Sequence, residues 1–320
     1  MIYEKVRALG LALVNESEPH TALRARSHGT CLRYKPAVES IDLARRGNAA
    51  ALRELLARAP DVLASTPNTA RLLRLAVLAG HMSVVELLLD KGVDVNKPSP
   101  LALAPSRDFE TLIFVTPLCA ARLKRRKDIE VVLLRHGAKE DIFTHAFLGD
   151  VGALQEDLAH EPSSAQASDP AVDALEITPL HHAVAGGHVE PLRVLLACVL
   201  DAKEPLRGAN RALRMAVAHE NVAIVVMLLD HGADATTIGA GRWVTHPELA
   251  PILSRAGARV DRSGNWIQLS CTGNQGRKDD PEYVAALLRH GARVDDRSET
   301  VQMTDGGRAT ALHYAAKAAS

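Results

Sequence analysis

Two short phrases recur along this chain at a nearly constant spacing. The first reads T-P-L-C-A-A at 116–121, T-P-L-H-H-A at 178–183 and T-A-L-H-Y-A at 310–315. The second follows at a fixed distance and reads L-L-D-K-G at 88–92 and L-L-D-H-G at 228–232. A repeat of this kind predicts helical hairpins that cannot bury their apolar faces alone and must therefore stack on one another.

The repeat length follows from the last Leu of each second phrase. These residues are Leu56, Leu89, Leu134, Leu158, Leu196, Leu229, Leu253 and Leu288. Their intervals are 33, 45, 24, 38, 33, 24 and 35 residues. The interval of 45 contains an insertion at 97–115, and the two intervals of 24 lack a turn segment. We therefore expect eight helix pairs, with a ninth beginning at Thr310.

These phrases resemble those of the ankyrin repeat family over residues 37–320. The resemblance implies an all-α ankyrin-repeat solenoid of about eight helix pairs plus a partial ninth, with short β-like fingers. It also implies a non-catalytic protein–protein interaction scaffold that binds a protein partner through its concave face, finger tips and inserted loop. For residues 1–36 we expect an N-terminal helix that caps the first repeat, followed by an irregular extension.

The composition agrees with thin stacked helices. The 320 residues are 47% hydrophobic but include only ten aromatic side chains, so Leu, Val and Ala must supply the core. The 38 basic and 38 acidic residues cancel, which argues against nucleic acid or a membrane surface as the partner. No apolar run approaches the roughly 18 residues that a membrane span needs.

No pattern in the sequence indicates an enzyme, a cofactor or a metal site. The cysteines are far apart and form no Cys-x-x-Cys pair; they are Cys31, Cys119, Cys198 and Cys271. Reduced thiols and a cytoplasmic location are the resulting expectation. His181, His182 and His188 cluster in one repeat, but the resemblance implies structural roles for His181 and His188. The segment 273–280 lacks the spacing of a phosphate loop and indicates an inserted loop.

The resemblance further implies where a partner would bind. Partners of ankyrin repeats are usually contacted by finger tips and by the last exposed residues of the inner helices. In this sequence the repeat length assigns those inner-helix ends to Arg45, Arg46, Leu78, Lys124 and His219.

The third unit carries five cations in the six residues 122–127. The candidate binding residues there are Arg122, Lys124, Arg125 and Arg126. Arg125 and Arg126 replace the Gly and His that are usual in the family. One interpretation is a basic patch that faces an acidic surface of the partner, and the other is a solvated turn balanced by Asp128 and Glu130.

The insertion at 97–115 has two interpretations as well. Its three early prolines exclude a regular helix there, and Phe109 and Phe114 concentrate apolar area outside the repeat. Those side chains either bind a partner or pack back onto neighbouring repeats. Trp243 and Trp266 either fill the space left by a short loop, which we favour, or anchor an interface.

An alternative function is a regulatory or targeting module of a larger enzyme or effector system, because the ninth unit stops after its inner helix at Ser320. That helix arrives without an outer helix to cover its apolar side chains. We therefore expect either a longer array or a contact with another subunit at this end.

Overall fold

The computed structural model describes residues 31–64, 66–102, 112–170, 176–201, 206–239, 242–259 and 281–290. The predicted N-terminal cap, Phe109, Trp266, the 273–280 loop and the ninth unit lie outside these residues. The chain divides into two compact units: Met1–Leu103 with Leu112–Val194, and Ala104–Thr111 with Leu195–Ser320. None of the described helices is long and apolar enough to cross a membrane.

The first unit consists of helix pairs, as the repeat predicts. Its helices are α1 (Cys31–Arg46), α2 (Ala49–Arg58), α3 (Thr66–Ala79), α4 (Met82–Asp90), α5 (Pro117–Leu123), α6 (Lys127–Arg135), α7 (Ile142–Leu148), α8 (Val151–His160), α9 (Pro179–Gly186) and the start of α10 (Val189–Asp201). The odd-numbered inner helices α1, α3, α5, α7 and α9 each pack on the next, and the outer helices α2, α4 and α6 do the same. Helix α1 begins at Cys31, ahead of the repeat boundary expected at residue 37.

A tight turn joins the two helices of each pair. After α3, Gly80 adopts φ +82°, and its N–H donates to the carbonyl of Val77 at 3.1 Å. The next N–H, of His81, donates back to the carbonyl of Ala76 at 2.9 Å. These bonds satisfy carbonyls at the end of the helix, and Gly adopts the left-handed conformation without a steric penalty.

The core of the first unit lies between the inner and outer helices. Leu72, Val84, Leu88 and Leu133 are fully buried in one continuous cluster. Leu88 occupies the position that the apolar stripe of the second phrase predicts. The register of the outer helices is thus the one that the sequence indicated.

The insertion forms a two-stranded antiparallel hairpin instead of a free loop. Strand β1 (Ser99–Ala102) pairs with β2 (Leu112–Val115), and Leu101 lies opposite Ile113. The Nε of buried Arg74 on α3 donates to the Ser99 hydroxyl at 2.7 Å, which ties the hairpin to the repeat. Ile113 is fully buried and Phe114 is 7% exposed, so these two side chains pack back onto the protein.

The second unit contains α11 (Ala209–Ala218), α12 (Val222–Asp230), α13 (Leu249–Arg255) and α14 (Pro281–Arg289). A four-residue 3-10 turn, Arg242–Thr245, stands before α13, where the repeat predicts an inner helix. The nearby Gly239, Gly241 and Pro247 leave too few residues for a stable helix there.

Trp243 fills the space beside this short turn. Its side chain is 1% exposed, and its indole N–H donates to the Gly239 carbonyl at 2.7 Å. Its ring also lies 5.1 Å from the ring of His290. The interpretation of Trp243 as a filler is therefore confirmed, and the ring has no surface to offer an interface.

Candidate partner-binding surface

The predicted inner-helix ends lie just before the turns that join each helix pair. In the first unit the residues with positive φ in these joining turns are Gly47, Gly80, Arg125, Gly149 and Gly187. Arg45, Arg46 and Lys124 are exposed, and Leu78 is half-buried. Leu123 is also exposed at 40%, although it is a large apolar side chain. These ends form a row of mixed cationic and apolar side chains.

His219 belongs to the second unit and ends α11. It is half-buried, and its Nε2 has no hydrogen-bond partner among the described residues. Burial lowers its pKa below the ordinary value of 6.5. The imidazole is therefore neutral at pH 7 and contributes no positive charge to a binding surface.

In most contacts between neighbouring helix pairs, a long side chain of the following pair covers the left-handed Gly in the turn of the preceding pair. A Cβ atom added to Gly80 would lie 2.6 Å from the guanidinium carbon of Arg126, which begins the next outer helix. At Gly47 and Gly149 the covering side chains are His81 and His188, at 2.5 and 2.8 Å. We call the contact between the second pair (α3, α4) and the third pair (α5, α6) the closed junction.

The contact between the third pair and the fourth pair (α7, α8) differs at both positions. The left-handed residue is Arg125, with φ +54°, and the residue that begins the next outer helix is Asp150. At Gly47, Gly80 and Gly149 the long covering side chain lies within 2.8 Å of the position that a Cβ would take, so by analogy the short Asp150 leaves room for the Cβ of Arg125. We call this contact the open junction.

A cleft of about 670 Å³ lies at the open junction. Its lining residues are Arg122, Arg125, Lys127, Glu130, Glu140, His145, Leu148 and Asp150. They come from the third and fourth helix pairs and from the loop between them. The cleft therefore lies where the junction is altered.

A chain of ion pairs forms one wall of this cleft. The Nε of Arg122 donates to Glu130 at 2.9 Å, and its Nη2 donates to Glu140. Lys127 also donates to Glu130, at 3.1 Å. Glu130 thus balances part of the basic segment as expected, whereas Asp128 is in no ion pair among the described residues, and Glu140 takes that role.

His145 ends this chain of ion pairs at the fourth helix pair. Its Nε2 lies 2.9 Å from Glu140 and its Nδ1 lies 2.7 Å from Asp157, and the side chain is 6% exposed. Both ring nitrogens face carboxylate oxygens, so both must carry a proton and the ring is an imidazolium.

The pKa values of His145 and Glu140 follow from these contacts. Burial alone would lower the pKa of His145, but the hydrogen bonds to Asp157 and Glu140 outweigh burial and raise it above 6.5. The hydrogen bond from Arg122, followed by that from His145, lowers the pKa of Glu140 to about 2. The wall therefore stays ionised near neutral pH.

Three cations of the basic segment remain outside this chain of ion pairs. Lys124 and Arg125 are exposed and form no ion pair with any described residue. Arg126 is directed to the closed junction, where its Nη2 lies 3.4 Å from the Ala79 carbonyl. Of the four predicted residues, Arg122 and Arg126 thus have structural contacts, and Lys124 and Arg125 are available to a partner.

A second, smaller cleft of about 270 Å³ contains Phe114 and Cys119 in its wall. Phe114 is largely buried, so its ring offers little area to a partner. Burial, followed by the charge of Asp141, raises the pKa of the Cys119 thiol to about 12. The thiol stays protonated and is a poor nucleophile.

The clustered histidines have structural roles. The Thr178 N–H donates to Nδ1 of fully buried His181 at 3.0 Å, and this contact fixes the start of α9. His182 Nε2 lies 3.3 Å from Asp169, and His188 covers Gly149. The described residues contain no group of His, Cys, Asp or Glu that could hold a metal ion.

The sequence did not indicate Glu140, His145 or Asp157 as parts of a surface. These residues lie on a loop and on two different helices, and Glu140 is 18 residues from its partner Arg122. No repeat pattern marks such pairs, because the contacts exist only once the helix pairs stack. The only signal was the departure from Gly at Arg125.

Comparisons with known proteins agree with the helix pairs. A family model described as ankyrin repeats in three copies matches residues 146–238, and an ankyrin repeat model matches residues 72–100. The third helix pair lies between these two matched segments. A search of the curated proteins found no match to this chain.

Proposed function

Since the chain is an ankyrin repeat protein, we propose that it is a non-catalytic scaffold that binds a protein partner through its concave face, finger tips and inserted hairpin. Ankyrin repeats are generally protein–protein interaction modules. The mechanism is rigid display, because stacked helix pairs hold the contact residues in place before the partner arrives and so lower the entropic cost of association.

One observation carries this proposal: the inner-helix ends of the first unit expose binding chemistry. Leu123 is 40% exposed beside the exposed cations Lys124 and Arg125. Arg45 supplies a further exposed cation at the first helix pair, where the exposed Arg46 pairs with Asp42 at 3.1 Å. An apolar anchor ringed by cations suits a partner with an acidic surface.

The proposal includes the absence of catalysis and a cytoplasmic location. The protonated thiol of Cys119 supports the former, and the same reduced thiol supports a reducing compartment. Neither nucleic acid nor a membrane is part of the proposal.

Site-specific photo-crosslinking tests the proposed face. A benzophenone amino acid would replace Leu123 in one variant and Val131 in the other. Both side chains belong to the third helix pair and are exposed, at 40% and 47%, but Val131 lies on the outer helix α6. We expect a discrete protein adduct in extracts of the native cells from position 123 only. Adducts from position 131 alone would place the partner on the outer helices and refute the proposal.

A further inference from the structure

The open junction departs from the other junctions at a cost in stability. Arg125 holds φ +54° where Gly47, Gly80, Gly149 and Gly187 stand in the other turns of the first unit. A side chain in this conformation costs about 1–2 kcal/mol relative to Gly. Arg125 forms no ion pair with the described residues that would offset this cost, so its guanidinium is available to a partner.

The charges at the cleft are balanced except at one position. Arg122, Lys127 and the protonated His145 pair with the carboxylates of Glu130, Glu140 and Asp157. Glu130 and Glu140 each accept from two of these cations, and Asp150 accepts from the Ala153 N–H at the start of α8. Arg125 is the one lining cation with no carboxylate of the described residues beside it.

From this geometry, and resting on the proposed function, we propose that the cleft at the open junction is an anion pocket that takes a carboxylate side chain from an acidic segment of the protein partner. The Arg125 guanidinium binds the carboxylate, with Lys124 at its rim. The half-buried Leu148 at the end of α7 and the exposed Leu123 at the end of α5 contact the apolar part of that side chain or its neighbours. The ion pairs of Arg122 and His145 keep the wall rigid.

The charges at the cleft favour a carboxylate over a phosphate. Arg125 is the one lining cation without an ion pair among the described residues, and its single charge matches that of a carboxylate. A phosphoryl group carries nearly two negative charges at pH 7 and would leave one of them uncompensated beside Asp150. The pocket therefore distinguishes Asp and Glu side chains from phosphorylated ones.

Two variants change the charge of the pocket in opposite directions and preserve the fold. Arg125→Gly removes the cation and places the preferred residue at a left-handed position. Asp150→Asn removes a negative charge but keeps a good helix cap. Arg135→Ala is the matched control, because it also removes one exposed positive charge, at the far end of α6, about 12 Å from Lys127.

The experiment measures fluorescence anisotropy of a labelled octaglutamate peptide with the full chain at low salt. We expect wild-type protein to bind it, Arg125→Gly to weaken binding by about tenfold, and Asp150→Asn to strengthen it by about threefold. Arg135→Ala should change affinity by less than about twofold. Thermal melting of each variant confirms that it is folded.

Three results would overturn the pocket. The first is that wild-type protein does not bind octaglutamate, and the second is that Arg125→Gly and Arg135→Ala lose equal affinity for it. The third is that a tetraphosphorylated octaserine peptide binds more tightly than octaglutamate and that its binding also depends on Arg125. The crosslinking experiment at Leu123 requires no acidic partner. An adduct there together with no octaglutamate binding would therefore refute the pocket and leave the proposed function intact.

Discussion

The closed and open junctions show how one repeat pattern yields two different surfaces. At the closed junction, Arg126 covers Gly80 on the inner side, and Leu89 on the outer helix is 7% exposed. At the open junction, Asp150 leaves Arg125 uncovered, and the equivalent Leu134 is 42% exposed. The comparison indicates that a change in two turn residues accompanies looser packing at the open junction, on the inner and on the outer helices.

The largest expected effect concerns the outer helices. Leu89→Ala should lower the free energy of unfolding by about 2–5 kcal/mol, because it removes a buried side chain. Leu134→Ala at the same register should cost less than about 1 kcal/mol, since that side chain is already partly in water. Urea denaturation of the two variants checks the difference. Equal losses would mean that α6 is covered as well as α4, and the comparison would fail.

The ion pairs of the open junction should give an effect of intermediate size. His145→Gln removes a buried cation that faces two carboxylates and should cost about 1–3 kcal/mol at pH 6. Thermal melting at pH 6 measures this loss. A loss as small as that of an exposed charge would show that the imidazolium does not hold the third and fourth pairs together.

The pH dependence of stability tests the same ion pairs at the open junction. The raised pKa of His145 contributes stability that is complete below its ordinary value of 6.5 and is lost as the pH rises through the folded-state value. The lowered pKa of Glu140 contributes stability that is complete above 4.5 and is lost as the pH falls towards about 2. The contribution of this junction is therefore greatest from about pH 4.5 to 6.5. In His145→Gln the decrease in melting temperature as the pH rises above 6.5 should be smaller than in the wild type.

The smallest expected effects have opposite signs at the two turns. Gly80→Ala should cost about 1–2 kcal/mol, because φ is +82° and the new Cβ meets the Arg126 guanidinium. Arg125→Gly should instead stabilise the protein by up to about 1 kcal/mol, because the larger conformational entropy of Gly in the unfolded chain offsets part of the backbone cost that is relieved. Melting temperatures of the two variants provide the test. A loss in Arg125→Gly would show that the arginine side chain has a structural role that outweighs its backbone cost.

Much of the fold could be predicted from the sequence. The spacing of Leu88 and Leu228 fixed the outer helices, and both side chains are fully buried. The T-P-L-H phrase predicted the start of α9, where Thr178 and His181 form the expected contact. These features depend on residues within a few positions of one another, which a repeat pattern records directly.

The binding surface could be predicted only in part. The basic segment was visible, but its four candidates, three arginines and one lysine, make different contacts. Arg122 pairs with two carboxylates, Arg126 covers Gly80, and Lys124 and Arg125 form no ion pair among the described residues. The sequence also did not decide whether the insertion binds a partner or packs back onto the repeats. Nothing local determines whether Phe114 faces water or the protein.

The sequence by itself determined the helix pairs, their order and the Arg at a position that favours Gly. Only the tertiary structure decided that Arg125 and Asp150 lie across one cleft and that Glu140, His145 and Asp157 form its charged wall. The physical reason is distance along the chain. Local periodicity encodes which face of a helix is apolar, whereas the charge of a surface depends on which side chains meet when separate pairs stack.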